Sequence, residues 1–212
     1  MDAEKASAEL KVIRQLMERP VRYSTQSGLA GIIAGLAALA GVFADAAVCG
    51  ACRPVAAMWI NVAVWAGVFL VAFAGVTVLT RLRERARGMP FWSAAKTRIL
   101  RAILPPFVAG VGLTAAVMYR WYGGIGPNQW GLIPPIWMLF YGVALWQVGE
   151  FAVGEVRLLG TAFIAAGLLA GAFFQYTIPG TEPGTAGYWT LGITFGGFHL
   201  IYGAVVWIRH GG

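Results

Sequence analysis

Charged side chains cut this chain into long apolar runs. Reading only for charge leaves six uncharged stretches, at 23–44, 54–80, 102–119, 121–149, 158–181 and 183–208. About 20 apolar residues in a helix cross the hydrocarbon of a bilayer, so each stretch is long enough to span it. The pattern predicts an all-α membrane protein, a six-transmembrane-helix bundle with spans near 27–46, 57–80, 100–119, 130–149, 157–176 and 187–208. Those spans and their connections occupy nearly all of the 212 residues, leaving no room for a separate soluble domain.

Ahead of the first span, Leu10, Ile13, Leu16 and Met17 recur at helical spacing among Lys5, Lys11, Arg14 and Glu18, and Pro20 stops the run. This predicts a short cytoplasmic amphipathic helix within 1–22, lying at the interface under its own bundle or docking a soluble partner. The transmembrane domain is then 23–212. With a charged segment before it and no clean A-x-A site after it, the first span is expected to be a retained helix rather than a cleaved signal peptide.

Composition agrees with the pattern. Apolar residues make up 58% of the chain and charged residues only 12%, where a soluble domain is about one quarter charged. Mean hydropathy is +0.69.

The net charge of +7 is unevenly placed. With the N-terminus inside, only Arg53 and Arg120 of the 16 Lys and Arg side chains fall on the outer side. That asymmetry predicts a multi-pass protein of the bacterial inner membrane with both termini cytoplasmic. It also assigns the high pI of about 9.9 to topology, so no nucleic-acid partner is expected. Between spans two and three, the segment 80–101 carries Arg81, Arg83, Arg85, Arg87, Lys96, Arg98 and Arg101 against a single acid, Glu84. Such a segment attracts anionic headgroups at about 1 kcal/mol per basic residue. Arg81, Arg83, Arg85 and Arg87 are the expected anionic-lipid contacts, besides their role as topological anchors.

An internal repeat bears on the architecture. Span four contains Leu139-Phe-Tyr141-Gly142-Val-Ala-Leu-Trp146, and span six repeats the L-x-Y-G-x-x-x-W pattern as Leu200-Ile-Tyr202-Gly203-Ala-Val-Val-Trp207. Ile33-Ala-Gly35-Leu in span one likewise resembles Ala165-Ala-Gly167-Leu in span five. Three helical hairpins, spans 1–2, 3–4 and 5–6, descended from one unit account for this, although span two has lost most of the pattern. Small-residue stripes at Gly31/Gly35, Gly167/Gly171 and Gly192/Gly196 allow close helix approach, within the bundle or in a homo-oligomer. Pro105-Pro106 predicts that span three kinks or starts late.

Few residues offer chemistry. His199 near the middle of span six is an intramembrane ionisable group, with Tyr202 one turn on and Tyr141 at the equivalent repeat position in span four. The three form either a proton or small-solute site or a neutral imidazole bonded to a tyrosine or a backbone carbonyl in the core. Met138 takes the place of His199 in span four. Cys49-Gly-Ala-Cys52 falls in the short outer loop, as a disulfide, two idle thiols or a redox pair. A zinc site there lacks further ligands, so no metal is expected. Glu150, Glu155 and Arg157 form a charged cytoplasmic turn that caps helices and pairs ions, or that binds a cation or relays protons. Asp45 after span one and Asn61 near the outer end of span two belong to no motif. There is no Gly-rich phosphate loop, HExxH, haem His pair or nucleophile elbow, so nothing favours an enzyme and no cofactor is expected.

Ile13-Arg-Gln-Leu-Met-Glu18, Ser27-Gly-Leu-Ala-Gly31, Gly154-Glu-Val-Arg-Leu-Leu-Gly160 and His199-Leu-Ile-Tyr-Gly203 together resemble a family of small uncharacterised six-span bacterial membrane proteins. The glycine-rich hairpins also resemble the HdeD-like acid-resistance membrane proteins. The first resemblance carries no known activity, and neither brings a catalytic residue; the expected role is a non-enzymatic inner-membrane protein, stress-associated or part of a membrane assembly. A solute or proton pathway through His199 and Tyr202 and an outer-face thiol protein using Cys49 and Cys52 are the alternatives.

Overall fold

The computed structural model of the protein describes residues 27–49, 54–90, 92–125, 130–173 and 189–210. The amphipathic segment within 1–22, Cys52 and the side chain of Cys49 lie outside the described residues. Among the described residues six helices are long and apolar enough to cross a bilayer. They are α1 (Gly28–Cys49), α2 (Pro54–Ala86), α3 (Ala94–Tyr122), α4 (Ile133–Val148), α5 (Gly154–Phe173) and α6 (Trp189–His210). A single 3-10 turn, Trp130–Leu132, leads into α4.

Large apolar side chains such as Phe69, Leu70, Phe73, Leu168, Leu169, Ile201 and Ile208 stand exposed on these helices. In water so much exposed apolar surface is an aggregation liability, whereas lipid is its natural solvent. The chain is therefore a multi-pass integral membrane protein, an all-α helical bundle.

The helix ends depart from the charge-based boundaries in two places. Arg81, Arg83 and Arg85 are helical, because α2 runs on to Ala86 instead of stopping at the first arginine. Gly88, with φ +65°, then lets the Met89 amide return to the Glu84 carbonyl at 2.8 Å, a glycine-dependent helix stop. α3 starts early rather than late: Ser93 Oγ accepts the Lys96 amide at 3.3 Å as an N-cap, and the helix passes through Pro105 and Pro106. The connection between α2 and α3 is thus short, and most of its predicted basic residues ride on helices.

Around the bundle, α2 packs on α1, α1 on α6, α6 on α5, α5 on α4 and α4 on α3. The hairpins α1–α2 and α3–α4 pack as pairs, yet the closest backbone approaches join one hairpin to another, α4 to α5 and α1 to α6. A Cβ on Gly142 would sit 2.8 Å from the Gly160 carbonyl oxygen and 2.8 Å from the Ile164 amide. One on Gly203 would sit 2.7 Å from the Gly28 carbonyl oxygen and 2.6 Å from the Ile32 amide. The α1–α6 and α4–α5 interfaces therefore repeat each other residue for residue, with Gly28, Ile32 and Gly35 matching Gly160, Ile164 and Gly167.

The glycine stripes are used inside the chain: Leu39 and Val42 face Gly196 and Gly192, while Leu139 and Pro135 face Gly167 and Gly171. Where the repeat has decayed, in α2, the contact with α3 falls to side chains. The rings of Phe69 and Phe107 lie 5.3 Å apart, and Lys96 Nζ bonds Glu84 Oε2 at 2.6 Å.

Candidate functional site

Seven residues of α6, Gly192–Phe198, form a π-helical stretch that delivers His199 into the core. Such widened turns are rare in helices and recur at functional positions. The His199 amide donates to the Gly196 carbonyl, and the Phe195 carbonyl accepts from the imidazole Nδ1 at 2.9 Å. A carbonyl only accepts, so Nδ1 carries a proton. In the neutral ring Nε2 is then the acceptor, and it takes the Tyr141 hydroxyl at 2.7 Å.

The pair is walled by rings. Tyr141 lies 4.9 Å from Phe163 and 5.3 Å from Phe195, and His199 lies 5.4 Å from Phe163. Phe163 and Met138 have no exposed surface, and Tyr202 packs against the same cluster. Repeat symmetry explains what differs between the two tyrosines. Tyr141 stacks edge-on against Phe163, whereas Tyr202 lies over the corresponding Gly31, where a Cβ would come 3.0 Å from its ring. His199 is 6% exposed and bonded at both nitrogens. That arrangement fixes ring and tautomer, and it joins α4 to α6 across the middle of the bundle.

Tyr141→Phe tests the strength of that join. It keeps the aromatic packing and leaves the buried Nε2 without its donor, at an expected loss of about 1–3 kcal/mol. Adding His199→Met, the residue of the matching position, removes the orphaned nitrogen and should recover most of the loss in detergent unfolding titrations. A double variant as unstable as the sum of its parts would show that the bond itself contributes little.

Other sequence-derived positions fall into separate groups. Glu150 pairs with Arg157, whose guanidinium lies 4.9 Å above the Trp146 ring. Glu155 does not join them; it pairs instead with Arg209 at 3.2 Å and His210 at 3.3 Å at the end of α6. The charged turn is thus two ion pairs on two helix ends. These contacts, with Gly28 against Trp207, gather the basic ends of the helices at one end of the bundle. Arg81 lies 3.9 Å from Glu84, which is itself only 1% exposed.

Two polar clusters went unread in the sequence. Asp45 does not follow the first span but lies within α1, wholly buried, accepting Asn61 Nδ2 at 2.5 Å and Trp65 Nε1 at 3.2 Å. The apolar Ala46-Ala47-Val48 beyond it was the available signal that the helix continues. The Glu84–Lys96 pair was hidden because each residue reads alone as loop charge. Among the described residues no group of three His, Cys, Asp or Glu side chains has metal-holding geometry. No protein-family model, curated protein or solved structure matches the chain.

Proposed function

We propose that this chain is a non-enzymatic component of the bacterial inner membrane, stress-associated or a subunit of a larger membrane assembly, with both termini cytoplasmic. The observation that carries this reading is that polar groups buried among the helices bond one another: His199 with Tyr141 and Phe195, and Asp45 with Asn61 and Trp65. Bonds of that kind pin helices, and the polar side chains that make them are the glue of membrane bundles. The stress association rests on the resemblance of the hairpins to HdeD-like proteins.

Purification in mild detergent tests the assembly role: a stable complex of fixed stoichiometry is expected, and a lone monodisperse chain overturns it. Reporters fused after Gly212 and inserted at Gly126 should appear on the cytoplasmic side and on the opposite side respectively; the converse pattern would reverse the topology, and both on one side would break the count of three spans between them.

A second reading, a proton pathway, is favoured by one further observation. Tyr202 packs against both the Met138–Phe163 cluster beside Tyr141 and the Val148–Val156 cluster at the α4–α5 turn, and Tyr141 bonds His199. Tyr202 thus stands between the α4–α5 turn and the Tyr141–His199 bond in the middle of the bundle. Proton uptake into reconstituted vesicles separates the readings. A pathway requires His199→Ala and Tyr202→Phe each to abolish a flux that the unmodified protein supports, whereas the structural role leaves vesicle permeability unchanged by either.

A further inference from the structure

A groove of about 390 Å³ opens between the start of α3 and the α4–α5 turn, lined by Arg98, Arg101, Trp146, Gln147, Glu150 and Phe151. Its electrostatics are one-sided. Glu150, the carboxylate on its wall, is already engaged by Arg157. Among the described residues neither Arg98 nor Arg101 has a carboxylate partner. The two arginines lie three residues apart on one helix, so they present two planar donor forks to the same space. Arg98 is steadied by the Phe151 ring, 5.9 Å from its guanidinium carbon.

The surroundings select the ligand further. Trp146 is the kind of side chain that sits at headgroup level. One turn deeper than Arg101 on α3 is Leu104, and one turn deeper than Gln147 on α4 is Val143; both are exposed and apolar. A charged mouth above an apolar strip fits an anion that carries hydrocarbon. We propose that this groove is a specific site for the phosphodiester headgroup of an anionic phospholipid. Arg98 and Arg101 hold the phosphate oxygens, Gln147 offers an amide donor, and the acyl chains run along Leu104 and Val143. The site is distinct from the diffuse attraction of Arg81, Arg83, Arg85 and Arg87 to the membrane surface, and it does not depend on whether the chain works alone or in an assembly.

The test places the full-length protein in phosphatidylcholine nanodiscs with increasing phosphatidylglycerol and reads retained lipid by native mass spectrometry. One tightly held phosphatidylglycerol per chain is expected. Arg98→Gln with Arg101→Gln should weaken its retention about thirtyfold, as the loss of two basic contacts at the surface implies. Arg83→Gln with Arg85→Gln, which removes the same charge nearby, should change it less than about threefold. Arg98→Lys with Arg101→Lys keeps the charge without the forks and should fall between. Equal losses in the two Gln pairs would show a diffuse surface effect and overturn the site. Inorganic phosphate, titrated alone, should bind far more weakly than the lipid; binding of phosphate without retention of lipid would overturn the proposal in favour of a soluble anion.

Discussion

Replacing Gly203 by alanine should destabilise the bundle by about 1–3 kcal/mol, because the added methyl has nowhere to go. Its Cβ would lie 2.6 Å from the Ile32 amide nitrogen and 2.7 Å from the Gly28 carbonyl oxygen. These are backbone atoms, which cannot rotate aside, so α1 and α6 must separate and forfeit contacts along their length. Gly142→Ala should cost about the same, since the α4–α5 interface repeats the geometry. Gly67→Ala and Gly112→Ala are the controls, with nothing within 4 Å of the added carbon. In helix interiors that change is neutral or stabilising by about 0.5–1 kcal/mol. Detergent unfolding midpoints for the four variants decide the matter, and equal effects at packed and open glycines would sink the idea that glycine contacts hold the helices together.

The same contacts show how far the sequence could be read. Six apolar stretches in 212 residues sufficed for the all-α membrane bundle, because the bilayer imposes a length and a composition that are visible without any tertiary knowledge. The Tyr-Gly-x-x-x-Trp repeat was equally visible, and so was a core His199 bonded to a tyrosine or a backbone carbonyl, though not that both bonds form or that the tyrosine is Tyr141. What stayed hidden was partner choice. A glycine stripe says that something approaches closely, not which helix, and here the tightest backbone approaches join different hairpins rather than the arms of one. The π-helical stretch ahead of His199 is likewise a register choice of the backbone that no local motif announces. Charge misled at helix ends for a related reason. Arginines have stems long enough to reach water from inside a helix, so Arg81 to Arg85 mark the membrane boundary without marking the end of α2.

Loss of Lys96 should be the most damaging single change at the seam between α2 and α3. The α1–α6 and α4–α5 interfaces meet through glycines, but here Phe69 against Phe107 and the ion pair of Glu84 with Lys96 form the contact. Glu84 is 1% exposed; Lys96 Nζ lies 2.6 Å from its carboxylate and Arg81 Nη1 3.9 Å from it. Lys96→Met therefore takes from a buried carboxylate the ammonium bonded to it, a change that costs about 3–5 kcal/mol when a buried pair is broken from one side. Replacing both partners is different in kind. Glu84→Leu with Lys96→Met removes the desolvated charge along with its counter-ion, and such apolar swaps are often neutral or mildly stabilising. A double-mutant cycle read by unfolding in detergent should show a coupling of at least about 2 kcal/mol. Strict additivity would mean that the carboxylate is satisfied without Lys96 and that ring packing alone closes the seam.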